Sequence, residues 1–380
     1  MRIAKVEAFA VKISRNDNLA KPNSSPYTIP KGRNTIKSNM HETLVVRIST
    51  DDGLTGYGEG QSPVSPETTG TIVANLCSPL MLGKDPFDVE QIWQLLYNAM
   101  RERGHITGFY LDAIAACDIA LWDLKGKATG KPVHKLLGGQ FREQIPLYAG
   151  CPGRNIKTVI DQAEKLISAG YKGLKLSPAS DRKETLAIVS AVRDHIGSDI
   201  AIMVDLHSDF DVTESIKLGR DLELLDIYWL EAPTVPDDLP GHVAITAALN
   251  MFVANGEWYR TRYQMREALE KRICDVLMPD IGRTGLSEGK RIAVLADTYN
   301  IPISPHVGGG GLLAIAATIQ FSAAIPNFLI MEHNHSSYSK WCQLALDPPL
   351  PNQGKFPVTD KPGLGILIDD TILENFTLVS

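Results

Sequence analysis

Residues 200–232 read IAIMVDLHSDFDVTESIKLGRDLELLDIYWLEA. Two apolar runs, Ile200–Leu206 and Ile227–Ala232, flank a segment with helical spacing, and each run carries one acid, Asp205 and Glu231. Near-continuous apolar runs mark strands buried on both faces, and strand–helix–strand order implies a parallel βαβ unit. The pattern repeats from Ile145 onward. The other runs are Ile145–Gly150, Gly173–Ser177, Met251–Gly256, Cys274–Pro279, Ile301–Pro305 and Phe328–Met331, which makes eight. Eight such units close into a barrel.

Polar residues end these runs at a steady interval. Asp205, Glu231, Glu257, Asp280, His306 and Glu332 follow one another at 26 residues, apart from one step of 23 between Glu257 and Asp280. One polar residue per unit, each at the same height, points to the C-terminal mouth of the barrel, where such folds place active sites. An acid after a strand is also a common helix N-cap. Glu is a poor cap, however, and capping does not account for six such residues in succession.

Asp205, Glu231 and Glu257 on neighbouring strands would repel by roughly 3 kcal/mol per pair at about 5 Å and an effective dielectric of about 20. They need either raised pKa values or a cation. Three oxygen donors without Cys or His favour one Mg²⁺ over zinc. Such an ion can act as a Lewis acid on a substrate carboxylate when the α-proton leaves, which in turn requires a base. Asp280 and His306, one unit apart, can form a carboxylate–imidazole pair for that task.

Working outward, Ile3 to Ser14 and Thr43 to Thr50 read as strands, and Asp52-Gly53 is a hairpin signal. Residues 15–41 form a long polar loop expected to be a lid, with Lys21, Asn23, Lys31 and Arg33 as polar candidates. Helices are expected over Pro66–Leu82, Asp88–Arg103 and Thr107–Thr129. The resulting division is 1–140 as an N-terminal domain, 141–355 as the barrel, and 356–380 as a segment returning to the first domain. Two domains suit 380 residues.

A net charge of -6 argues against a nucleic-acid surface. The five scattered cysteines form no CxxC pair and read as reduced thiols. Met1 to Val11 lacks a signal-peptide core, and Leu312 to Met331 is broken by Gln320, Pro326 and Asn327. A cytoplasmic protein without a membrane span is expected. Gly308 to Gly311 lacks the Lys-Ser/Thr of a phosphate loop and reads as a turn beside His306, and Asp209 with Asp211 reads as a solvated loop.

These residues, in this order, resemble the enolase superfamily, specifically its mandelate racemase subgroup. The resemblance runs through Ala120-Leu121-Trp122-Asp123-Leu124-Lys125-Gly126-Lys127, Leu136-Leu137-Gly138-Gly139, Val204-Asp205, Trp229-Leu230-Glu231-Ala232-Pro233-Thr234 and Pro279-Asp280-Ile281-Gly282-Arg283-Thr284-Gly285. It implies an α/β fold with a modified TIM (β/α)7β-type barrel under an N-terminal α+β capping domain. It also implies Asp205, Glu231 and Glu257 on one Mg²⁺, Asp280–His306 as the base, and Glu332 stabilising the enolic intermediate. Relatives are commonly dimers or octamers, so a homo-oligomer is expected.

Two departures narrow the chemistry. The second barrel strand of mandelate racemase ends Lys-x-Lys, whereas here Lys175 is followed by Ser177. A serine hydroxyl is no base at neutral pH without help, so Lys175 is expected as a cation beside the substrate carboxylate. Second, His207 follows Asp205 by two residues, on the same side if the strand continues. A histidine there resembles the acid-sugar dehydratases such as galactonate dehydratase, where it protonates the leaving 3-hydroxyl. The expected activity is that of a hydro-lyase on an aldonate or aldarate, a small-molecule carboxylate. The alternatives are an epimerase or cycloisomerase on the same scaffold and, from another class, an inactive metal-binding or regulatory relative.

Overall fold

The computed structural model describes residues 1–15, 26–30, 35–178 and 181–380. Lys21, Asn23, Lys31 and Arg33 lie outside these residues. Strands Ile3–Ser14, Met40–Thr50 and Thr55–Gly60 form an antiparallel sheet, with Thr377–Val379 added at its edge against Ile3–Ser14. Gly53, at φ 86°, makes the turn between Met40–Thr50 and Thr55–Gly60. Within the expected lid, Tyr27–Thr28 and Lys37–Ser38 pair as a short ladder.

The first expected helix is divided. Pro66–Ile72 and Ser78–Met81 are joined by a π turn, Val73–Cys77. Pro79 has no N–H to donate, and the wider turn accommodates that loss. Val89–Arg101 and Phe109–Thr129 follow as single helices. Phe109–Thr129 is buried along most of its length because two surfaces cover it, the strand Thr55–Gly60 and the barrel helix Ile281–Thr298. Gly56, Gly58 and Gly60 make the first approach possible. A Cβ at these positions would lie 2.3, 2.1 and 2.4 Å from helix carbonyl oxygens. Strand alternation then sends Tyr57, Glu59 and the following Gln61 to the other side.

The barrel strands, in the order Val276–Leu277, Phe252–Asn255, Trp229–Glu231, Ala201–Asp205, Gly173–Ser177, Gln144–Pro152 and Met331–His333, pair in parallel. The seventh apolar run forms no strand. Within it Ile303 bridges Leu277 on one side and Phe328 on the other, and His306 just beyond it bridges Asp280. Pro302 and Pro305 cannot donate to a ladder, which limits pairing there to one residue. Tyr148, Met203, Trp229, Ala254, Val276 and Met278 fill the barrel interior. Leu312–Ala324 is a buried helix, and among the described residues no helix is long and apolar enough to cross a membrane.

Candidate active site

The helix caps and the strand-end acids are different residues. Asn155, Asp181, Asp211 and Asp238 cap the helices that begin at Ile156, Arg182, Val212 and Leu239, each accepting a backbone N–H from the first turn. Asp205 and Glu231 lie upstream of those caps. Asp280 does stand at an N-cap position, but its side chain makes no capping bond. It accepts instead from His306 Nδ1 at 2.7 Å.

The strand register brings the acids together. Asp205 and Glu231 are direct partners across adjacent strands. Lys175 reaches both, with Nζ 3.3 Å from Asp205 Oδ2 and 2.8 Å from Glu231 Oε1. It also lies 2.5 Å from Glu332 Oε1. Burial disfavours the ammonium, but Glu231, Glu332 and Asp205 outweigh it and hold the pKa well above that of an ordinary lysine. Lys175 is therefore a fixed cation and not a proton acceptor near neutral pH.

The carboxylates divide by their hydrogen bonds. Glu332 Oε2 accepts from the backbone N–H groups of Val307 and Gly308 at 2.7 and 2.9 Å. Despite burial, Lys175 and His306 bring its pKa down to about 2. Asp205 is also held low against burial by His207 and Lys175. Among the described residues Glu231 has Lys175 and the Trp229 indole N–H, the latter at 3.0 Å. Burial pushes it up to about 8, with Asp205, Glu332 and Glu257 adding to the effect.

Glu257 stands on the turn after Phe252–Asn255, with Oε2 3.6 Å from His306 Nε2. Burial opposes charge on the His306 ring, but Glu257, Glu332 and Asp280 raise its pKa to about 9.

A divalent cation fits the donor chemistry of Asp205, Glu231 and Glu257. All three offer hard oxygen, and buried Glu231 is short of positive charge. Among the described residues, however, no group of three His, Cys, Asp or Glu side chains is arranged to hold an ion. In the present side-chain arrangement Asp205 and Glu231 turn to Lys175, while Glu257 turns to His306.

His207 reaches the site by a different route from the one its spacing suggested. The strand ends at Asp205, and His207 takes a left-handed conformation, φ 49°. The turn folds it back on Asp205, whose Oδ1 accepts the His207 backbone N–H at 2.8 Å. Its ring Nδ1 lies 3.1 Å from Asp205 Oδ2, and that carboxylate raises its pKa.

Lys175, Asp205, His207, Glu257, His306 and Glu332 border one cavity of about 450 Å³, while Glu231 and Asp280 stand behind them. Ser177, Arg283, Asn334 and, from the cap, Arg15 and Ile36 are among the other lining residues. Sequence reasoning assigned nothing to Arg283 or Gln61. Arg283 stood in a quoted motif, three residues after Asp280, and that was its only signal. Gln61 had none.

The family model described as Enolase C-terminal domain-like matches residues 158–372. The Mandelate racemase / muconate lactonizing enzyme N-terminal domain matches residues 22–138. A D-galactarolactone cycloisomerase of Agrobacterium fabrum is 37% identical over 88% of this chain and 91% of its own length. A D-xylonate dehydratase of Haloferax volcanii is 27% identical over 88% and 85%. Among solved structures, the 3,6-anhydro-D-galactonate cycloisomerase of Zobellia galactanivorans superposes with a TM-score of 0.87 at 28% identity, over 100% of both chains. With both domains matched and this similarity across most of its length, the chain belongs to the mandelate racemase subgroup of the enolase superfamily.

Proposed function

We propose that the protein is a Mg²⁺-dependent dehydratase of a sugar acid, an aldonate or aldarate, yielding a 2-keto-3-deoxy acid. The observation that carries this reading is the pair of imidazoles, His306 and His207, on one cavity, each held by its own buried carboxylate. Asp205, Glu231 and Glu257 would hold the ion, which when bound supplies Lewis-acid stabilisation of the charge gathering on the substrate carboxylate.

His306 takes the C2 proton at Nε2. Its Nδ1 is committed to Asp280, which fixes the tautomer and supports the ring once it is charged. Lys175 supplies fixed positive charge where the enediolate oxygens form, and Glu332 keeps that ammonium and the Val307–Gly308 backbone in place. Asp205 favours the protonated His207 ring, which gives a proton to the 3-hydroxyl as the C3–O bond breaks, so that water leaves. The enol then ketonises.

A screen of aldonates and aldarates with Mg²⁺, assayed for 2-keto-3-deoxy acid, tests the proposal. A hit abolished by EDTA supports it. A uniformly negative screen counts against the dehydratase reading. The 37% identity to a D-galactarolactone cycloisomerase favours a second reading, in which the bond broken lies within a ring and the same two imidazoles serve. Mass spectrometry separates the two, because dehydration gives a product lighter by one water and cycloisomerisation leaves the mass unchanged.

A further inference from the structure

The seventh barrel unit carries the proposed base on the weakest pairing in the sheet. Ile303 makes single-residue bridges to Leu277 and Phe328, and His306 makes one to Asp280, with His306 N donating to Pro279 O at 3.2 Å. With backbone pairing this sparse, a side chain placed between the two loops can help set the separation of Asp280 and His306.

Gln61 occupies that place. It follows the cap strand Thr55–Gly60 and is 3% exposed. Its backbone N–H donates to Gly282 O at 2.8 Å, two residues beyond Asp280. Its side-chain Nε2 donates to Val307 O at 2.6 Å, next to His306. Its Oε1 accepts from Arg283 Nε, and Arg283 Nη1 donates onward to the Glu257 carbonyl oxygen at 2.7 Å. Both loops are packed directly on this side chain. A Cβ on Gly282 would stand 3.2 Å from Gln61 Cβ, and one on Gly308 would stand 3.1 Å from Nε2. A single cap residue thus ties the turns after the fifth, sixth and seventh strand positions.

We propose that Gln61 is a positioning residue that, through Arg283 and Val307, sets the geometry of the Asp280–His306 pair relative to Glu257. This rests on the reading of His306 as the base. Small displacements of a reacting group are costly, about a hundredfold for roughly 1 Å.

The test uses the full chain with Gln61→Leu, which removes both amide bonds, and Gln61→Glu, which keeps the acceptor for Arg283 and loses the donor to Val307. Turnover with Mg²⁺ should fall roughly tenfold to a hundredfold in Gln61→Leu, with KM little changed. Gln61→Glu should fall between that variant and the parent. The downfield proton resonance of His306 Nδ1, read by NMR without substrate, should shift or broaden in the same order. Parent-like kcat and resonance in Gln61→Leu would overturn the proposal. If Gln61→Leu does not fold, a parent-like resonance in Gln61→Glu assigns the residue to domain cohesion alone and also overturns it. Failure of the base reading is distinguishable, because His306→Ala would then retain turnover whatever the Gln61 variants do to the resonance.

Discussion

His306 and His207 face one cavity with very different support. His306 is buried, bonded to Asp280, close to Glu257 and Glu332, and followed by Val307 and Gly308, whose N–H groups are anchored on Glu332. His207 sits on a left-handed turn with its side chain 39% exposed and is held by Asp205. The contrast follows from what each step demands. A proton on carbon is removed only by a base held in register, so the rigid side suits abstraction. A leaving oxygen can be met by an acid with more freedom, and Asp205 favours the protonated ring that this acid needs.

The largest predicted effects fall on the rigid side. His306→Ala should lower both turnover and solvent exchange of the C2 proton by roughly 10²–10⁴-fold. Equal exchange in the variant and the parent, followed in D₂O, would remove His306 from the base role. His207→Ala should divide the two readouts, with C2 exchange retained and keto-acid formation falling by about a hundredfold or more. If that variant dehydrates normally, the two sides differ in structure but not in function.

Titration sharpens the same comparison. The free His306 ring is the base, and its folded pKa is raised to about 9, so the active fraction grows as pH climbs toward that value. NMR titration of the cation-free protein should find His306 near 9, and Glu257→Gln should move it down, because that charge is among those raising it. An unmoved titration would mean that the 3.6 Å contact carries no electrostatic weight.

The smallest effect sets a site acid against a capping acid. Asp211→Ala removes the cap of the helix Val212–Glu223 and should cost about 1 kcal/mol of stability with little change in turnover. Asp205→Ala, six residues earlier, should abolish turnover. Comparable kinetic losses in the two variants would remove the distinction between site acids and caps.

Much of the barrel was legible because its strands are buried on both faces and read as unbroken apolar runs. The acids at their ends were legible because one residue per βα unit repeats at nearly constant spacing. The seventh run reads as a strand for the same reason, but Pro302 and Pro305 reduce it to isolated bridges. His207 was found by alternation, although the strand stops at Asp205 and a positive φ brings it back. The short ladder within residues 15–41 left no apolar pattern to read.

The resemblance of its motifs implied the (β/α)7β form and the family, and the sequence by itself determined the parallel βα barrel and the strand-end heights of Asp205, Glu231, Glu257, Asp280, His306 and Glu332. Periodicity and burial are local properties, and these followed from them. Only the tertiary structure decided what each group is paired with. Lys175 lies among three carboxylates, Glu231 is the one left short of positive charge, and Gln61 reaches from the cap to the loops that carry Asp280 and His306. Those pairings join residues as much as 246 positions apart, and charge and hydrogen bonding depend on distance in space, which no spacing along the chain encodes.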